Sequence, residues 1–240
     1  MPQSFRIPIL MYHKVERVGR HSPVPGHYVS PGLFKNQMNV LSSMGYSSVP
    51  LSSLYRPEEK LPRKPIVITF DDGYSNFLTN ALPILQTQKF VSTVFLVANQ
   101  LGGTNAWDFK EGDIQERLMN LQQIQIAKMA GTEFGSHTLD HADLTAVTGD
   151  EAWRQISESK HKLEETLGVP IESFCYPYGR KSQEVSRMVE RAGYRMACST
   201  DKGLNTEETD RYALRRINIR RDTSVPVFVM KLLRGRRNAR

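Results

Sequence analysis

Three short stretches of the chain hold residues whose types and spacing suit hydrolysis at a bound cation. The first, "TFDDG", sets Asp71 and Asp72 side by side at the end of an apolar run. Two carboxylates leaving such a run are costly unless paired or metal-bound. Neighbouring side chains of an extended chain point to different faces, so one carboxylate can bind a cation while the other faces a reacting group. Gly73 permits a sharp turn after them. A helix N-cap followed by a second acid is an equally open reading. The second stretch, "SHTLDH", holds His137 and His141. On a helical turn these two imidazoles would share a face and reach one ion. A bare pair at this spacing also arises by chance. With one of the acids, the histidines make a three-ligand set that leaves a position for water. Zinc suits that set, and cobalt, manganese, iron or nickel can use it. Asp140 and Asp143 read as local turn residues or as supports for the histidines. The third stretch, "CYPYG", runs from Cys175 to Gly179. Its Pro and Gly fix a turn whose Tyr178 backbone N–H could face a developing oxyanion, or which is structural only.

The elements around these stretches alternate between strand-like and helix-like. "RIPILMY", "PIVITF" (65 to 70), "VSTVFLV" (91 to 97), "TEFGSH", "ESFCYPYG", "YRMACST" and "ALRRINI" read as strands, and the β-branched "PIVITF" suits a parallel strand buried on both faces. Helices are expected from Ser30 as cap to a stop at Gly45, from about Asn76 to Lys89 with a kink at Pro83, and in a stretch ending near Ala130. Others run from Asp150 as cap to Gly168, from Ser182 to Ala192, and at the C-terminus. Such alternation predicts an α/β fold, a parallel sheet or barrel wrapped by helices, with its chemistry at the C-terminal ends of the strands. All three stretches follow a strand.

At 240 residues the chain fits one large domain or two small ones, and an α/β barrel uses this length for one. No apolar run is long enough to span a bilayer, and Pro8 interrupts the only apolar stretch near the start. A cytoplasmic location is expected, with Cys175 and Cys198 as buried thiols. The net charge of +7 comes from residues 211–240, whose ten Arg and Lys against Asp222 leave −2 for the rest. This basic tail reads either as a solvated, partly frayed terminus or as a patch for an anionic membrane. No groove-reading motif points to nucleic acid.

Taken in order, "TFDDG", "SHTLDH" and "YPYG" resemble the motifs of the NodB-homology polysaccharide deacetylases, the carbohydrate esterase family 4 type, from about Pro8 to Ile219. The resemblance implies a single domain, a distorted (β/α) barrel of the polysaccharide deacetylase type, with the basic tail from about residue 220. It implies metal-dependent removal of an acetyl group from an N-acetylated glycan or glycolipid. Carried onto matching positions, Asp72, His137 and His141 would hold one divalent ion, zinc foremost. Asp71 would be the general base, and the Tyr178 N–H would hold the oxyanion. A related amidohydrolase on a small amide, and an inactive carbohydrate-binding or membrane-associated protein, are the alternatives.

Two departures from the family pattern need replacements. Cys175 stands where the third motif has an arginine that orients the base, and Arg216 is the candidate to take its place. Cys175 as a further metal ligand is a lesser reading. No histidine follows His161, so the usual late acid motif is absent, and His161 itself sits mid-helix on a polar face. A closed barrel sets its first strand beside its last, so His13 in "ILMYHKV" can stand where the late histidine would. In this the chain resembles the poly-N-acetylglucosamine deacetylase branch, where the element is permuted to the N-terminus. His13 would then be the general acid, or else a buried histidine bonded to backbone, and Asp201 is a guess for what orients it. Trp107 and Asp108 follow a Gly-rich loop and are placed, with Arg216, among the substrate-facing residues; Trp107 could equally anchor its loop. His21 and His27 carry no assignment.

Overall fold

Every residue of "PIVITF" is buried, and the strand it forms sits at the centre of a parallel sheet. The computed structural model describes residues 6–17, 25–56, 60–109 and 114–237. In chain order the elements are β1 (Ile9–Tyr12), β2 (Lys14–Val15), β3 (Tyr28–Val29), α1 (Pro31–Ser43), β4 (Ser47–Ser48), β5 (Pro65–Phe70), α2 (Leu82–Thr87), β6 (Thr93–Leu96), α3 (Ala106–Phe109), α4 (Leu121–Met129), β7 (Glu133–Ser136), α5 (Gly149–Leu167), β8 (Ser173–Cys175), α6 (Gln183–Arg191), β9 (Met196–Cys198), β10 (Ile217–Asn218) and α7 (Val225–Arg237).

The sheet runs β10-β1-β5-β6-β7-β8-β9, with β4 also on β5, and every pairing is parallel. First and last strands are neighbours, with Leu10 opposite Ile217. A bridge between Cys198 and Leu214 brings the segment before β10 back to β9 and curls the sheet into a distorted barrel. The period of two sorts each strand's residues. Leu10, Tyr12, Ile66, Ile68 and Phe70 pack with Phe34 and Met38 of α1 and with the other helices. Ile9 and Val67 pack instead with Phe95, Cys175, Met196, Cys198 and Leu214, inside the barrel. Extending the inward rows one step past β1 and β5 reaches His13 and Asp71.

Several expected element ends differ. Ser30 caps α1 through the Leu33 N–H, as expected, but Thr148 rather than Asp150 caps α5, its hydroxyl accepting from the Glu151 N–H. The Asp150 carboxylate lies in the first turn, where the helix dipole still favours it. The expected kink before Pro83 is a π-turn over Phe77–Ala81, which lets the chain continue where proline has no N–H to donate. Val225–Arg237 form α7 rather than the frayed segment expected there, with Phe228 and Leu232 buried in the core. Each such side chain contributes roughly 1.5–3 kcal/mol.

Candidate active site

Asp72, His137 and His141 meet at the C-terminal rim of the barrel. Asp72 Oδ1 lies 3.4 Å from Nε2 of each histidine. One donor atom from each residue falls within 4.8 Å of the others, and all three residues are buried. Asp72 Oδ1 has no hydrogen-bond partner, an expensive state for a buried carboxylate oxygen unless a cation meets it. The donor set therefore fits a divalent ion.

Local backbone supplies the convergence. Asp72 and His141 take left-handed φ of 70° and 62°, unusual for residues with a Cβ. Thr138 is left-handed too, at 68°, so "SHTLDH" is not the helical turn expected. It is a tight turn that brings the second imidazole back over the first. The Ala98 and Asn99 N–H groups donate to Thr138 O and Leu139 O, and Gln155 Oε1 accepts from the Leu139 and Asp140 N–H groups. Those bonds stabilise backbone that would otherwise be strained. His137 Nδ1 donates to Cys175 O at 2.7 Å, which leaves Nε2 with its lone pair toward Asp72. Burial opposes ionisation of Asp72, but the two imidazoles beside it outweigh this and hold the carboxyl well below its usual range.

Asp71 turns the other way, into the barrel. Arg216, only 1% exposed, grips it with Nη1 to Oδ1 at 2.7 Å and Nη2 to Oδ2 at 2.8 Å. Arg216 Nε donates to Ser199 O, Nη1 also to Thr69 Oγ1, and Nη2 to Cys175 Sγ at 3.2 Å. The grouping of Arg216 with substrate-facing residues is thus corrected: its guanidinium is spent beneath Asp71. Asp71, His137 and Cys175 also lie close together, but the arginine occupies the space a cation would need. Burial raises the Asp71 carboxyl, yet Arg216 and then His13 more than offset this and lower it.

His13 Nε2 lies 3.8 Å from Asp71 Oδ2. Asp201 does not orient it: that carboxylate pairs with Lys181 at 2.7 Å. The ring against His13 is His27, parallel at 4.2 Å. Trp107 stacks on His141 at 4.4 Å, and the half-exposed ring of Tyr178 meets the same imidazole in a T-shaped contact at 4.8 Å. Asp108 Oδ2 accepts from Tyr74 Oη at 3.0 Å and from Asn105 Nδ2 at 3.3 Å, with Lys14 Nζ 4.0 Å away. Burial, then the charge of Asp72, raises its carboxyl. Asp140 and Asp143 stay outside the cluster, on Gln155 and on Arg180 with Thr145. His161 is exposed on α5, and His21 lies outside the described residues.

Residue types alone hid His27 and the buried Lys14, whose ammonium sits over the rings of Tyr28 and Tyr74 at 4.6 and 4.7 Å. One signal was available: "HKV" at 13–15 and "HYV" at 27–29 are matching strand starts.

A parallel barrel whose strand ends bring together an acid, two imidazoles and a clamped second acid has the donor set that a metal-dependent hydrolase needs. The chain belongs to the polysaccharide deacetylase family, whose model matches residues 58–197. It is therefore a carbohydrate deacetylase, hydrolysing acetyl groups from sugars. Among its relatives is YxkH of Bacillus subtilis, named for the same family, 28% identical over 89% of this chain and 71% of that protein. The poly-beta-1,6-N-acetyl-D-glucosamine N-deacetylase of Staphylococcus epidermidis is 23% identical over 89% of this chain and 78% of its own. The fold matches the Streptococcus pyogenes deacetylase PplD, solved with acetate, at a TM-score of 0.82, 24% identity and coverage of 95% and 99%. IcaB from Ammonifex degensii matches at 0.78, with 22% identity and coverage of 94% and 97%.

Proposed function

We propose that the protein removes N-acetyl groups from N-acetylhexosamine units of a polysaccharide, oligosaccharide or glycolipid, with Asp72, His137 and His141 holding one divalent ion, zinc foremost. The observation that carries this reading is the unpartnered Asp72 Oδ1 equidistant from two imidazole nitrogens, beside a second carboxylate clamped by arginine. An inactive binding protein was the alternative suggested by the missing motif arginine, and Arg216 removes its motive. The poly-N-acetylglucosamine substrate in the name of the Staphylococcus relative supports an amino-sugar amide.

The residues divide the work as follows. Asp71 takes the proton of the attacking water. Arg216 keeps it ionised and correctly turned, at a cost in basicity, since a lowered carboxyl is a weaker base. A bound divalent ion supplies what Asp71 lacks, acidifying a water and polarising the acetyl carbonyl. The Tyr178 N–H faces the oxygen on which negative charge develops; Tyr178 is held in the left-handed region at φ 59°. His13 protonates the leaving amine. Burial first, and His27 next, bring His13 down to about 3, so its imidazole is neutral in the resting site. It must gain a proton during the reaction, and Asp71, its Oδ2 3.8 Å away, can pass on the one taken from water. Trp107 and Asp108 face the sugar, the indole offering an apolar face and the carboxylate a hydroxyl acceptor.

The substrate reading extends to location. The basic residues of 211–240 fit a lipid-linked substrate at the inner face of a membrane, and no described helix is long and apolar enough to cross one. The test is free acetate from a panel of N-acetylated oligosaccharides and glycolipids. Release from the sugars is expected; release only from small non-sugar amides would replace this reading with the amidohydrolase one.

A further inference from the structure

The two-stranded ribbon formed by β2 and β3 pairs Lys14 with Tyr28 and Val15 with Val29, in parallel. One step earlier in this register, His13 stands opposite His27. Side chains opposite each other in a ladder share a face, and the face alternates at each residue. The ribbon therefore carries two rings on one side and the buried Lys14 against Tyr28 on the other. The imidazoles are 4.2 Å apart with their planes only 2° from parallel. His27 Nδ1 is buried without a hydrogen-bond partner, so no fixed polar contact at that atom explains the histidine. Arg220 packs over the turn that presents it, its guanidinium against Gly26, and Gly26 O accepts from the Arg221 N–H.

We propose that His27 is a positioning residue for His13: its stacked ring fixes the plane in which His13 meets the leaving amine, and the face-to-face contact limits the two rings to a single positive charge. Two imidazolium rings in this contact would repel strongly inside the protein. The charges facing His13 are those of His27, of Asp71 and Asp72 after β5, and of Arg216 before β10. Burial and then His27 hold His13 low, while the two aspartates oppose them. His27 faces His13, with Arg220 packed against its turn. The ring pair thus keeps the donor neutral until negative charge builds beside it, and then directs the proton to one atom. Phenylalanine could supply the stack without the charge; alanine could supply neither.

This inference rests on His13 as the proton donor, and the experiment separates the two. Imidazole NMR on the full chain follows the titration of His13 in the wild type, His27→Phe and His27→Ala, and kcat and KM are measured on an N-acetylated oligosaccharide. The His13 midpoint is expected to rise in both variants. His27→Ala should lose roughly 10-fold to 100-fold in kcat with little change in KM, and His27→Phe should recover most of that loss while keeping the shifted pH profile. Should His27→Ala fail to fold, the midpoint in His27→Phe carries the test alone. An unchanged midpoint overturns the pairing, as does wild-type kcat in His27→Ala. His13→Ala, measured beside them, tests the donor: unchanged turnover there sinks the donor reading and the positioning role with it.

Discussion

Arg216 and Asp71 lie 145 residues apart in the chain and meet inside the barrel as a two-pronged ion pair, at 2.7 and 2.8 Å. The same guanidinium reaches Cys175 Sγ at 3.2 Å, at the position where the family motif carries its arginine. The charge is kept and the strand that delivers it has changed. Lysine cannot reproduce the fork. Arg216→Lys is therefore expected to cut kcat by roughly 10-fold to 100-fold. Arg216→Ala strands a buried carboxylate, at about 3–5 kcal/mol in a denaturant titration. Cys175→Arg placed in the Arg216→Ala background should restore part of both losses. Full activity in Arg216→Lys would show that orientation of Asp71 is not what the pair provides.

The pair also ties stability to pH. The folded Asp71 carboxyl lies below its ordinary 3.8, burial being outweighed by Arg216. Its contribution is present above pH 3.8, the unfolded value, and is lost as pH falls through the lower folded one. The urea midpoint of the wild type should thus drop below that pH more steeply than that of Arg216→Met. Parallel curves for the two proteins would count against the ion pair as a source of stability.

Gly179 follows Tyr178 with φ of 70°, and a Cβ there would lie 1.9 Å from Thr200 Oγ1. Gly179→Ala must move that backbone or the barrel rim. A stability loss of about 1–3 kcal/mol is expected, together with a fall in kcat, because Tyr178 is displaced. The paired variant Gly179→Ala/Thr200→Gly should recover part of the stability and little of the rate. A Gly179→Ala protein with wild-type melting and turnover would show that the turn can relax freely.

Trp107 on His141 at 4.4 Å joins a sugar-facing surface to a proposed ligand. Trp107→Phe should retain most activity, and Trp107→Ala should raise KM and weaken metal retention, read by calorimetry with zinc. Unchanged zinc affinity and KM in Trp107→Ala would leave the indole as a loop anchor only.

The barrel was legible because short apolar strand-like runs alternate with helix-like stretches, and "TFDDG" with "SHTLDH" named the residues that the structure brings together. What escaped was set by long-range geometry. Arg216 was legible as the candidate for the motif arginine's role, which its pair with Asp71 bears out, but nothing local marked its burial, since it sits in "LRRIN", one of several arginine pairs in a basic segment. The helical turn expected for His137 and His141 failed because Thr138 and His141 adopt left-handed backbone that only tertiary hydrogen bonds sustain. His27 was passed over because its meaning lies in the register of a two-residue ladder, to which the match of "HYV" with "HKV" was the only local pointer. The Asp201 guess failed for a similar reason: its carboxylate pairs with Lys181, a contact fixed by how two loops pack.

The central claim is a cation held by Asp72, His137 and His141 for hydrolysis of a sugar acetamide. It is tested most directly by acetate release from an N-acetylglucosamine oligosaccharide, using wild type and Asp72→Ala, each stripped by chelator and then titrated with zinc. The account predicts that stripped wild type is inactive and regains turnover at one zinc per chain, while Asp72→Ala stays inactive though folded. Turnover that survives stripping in the wild type, or that zinc restores equally in Asp72→Ala, would contradict it.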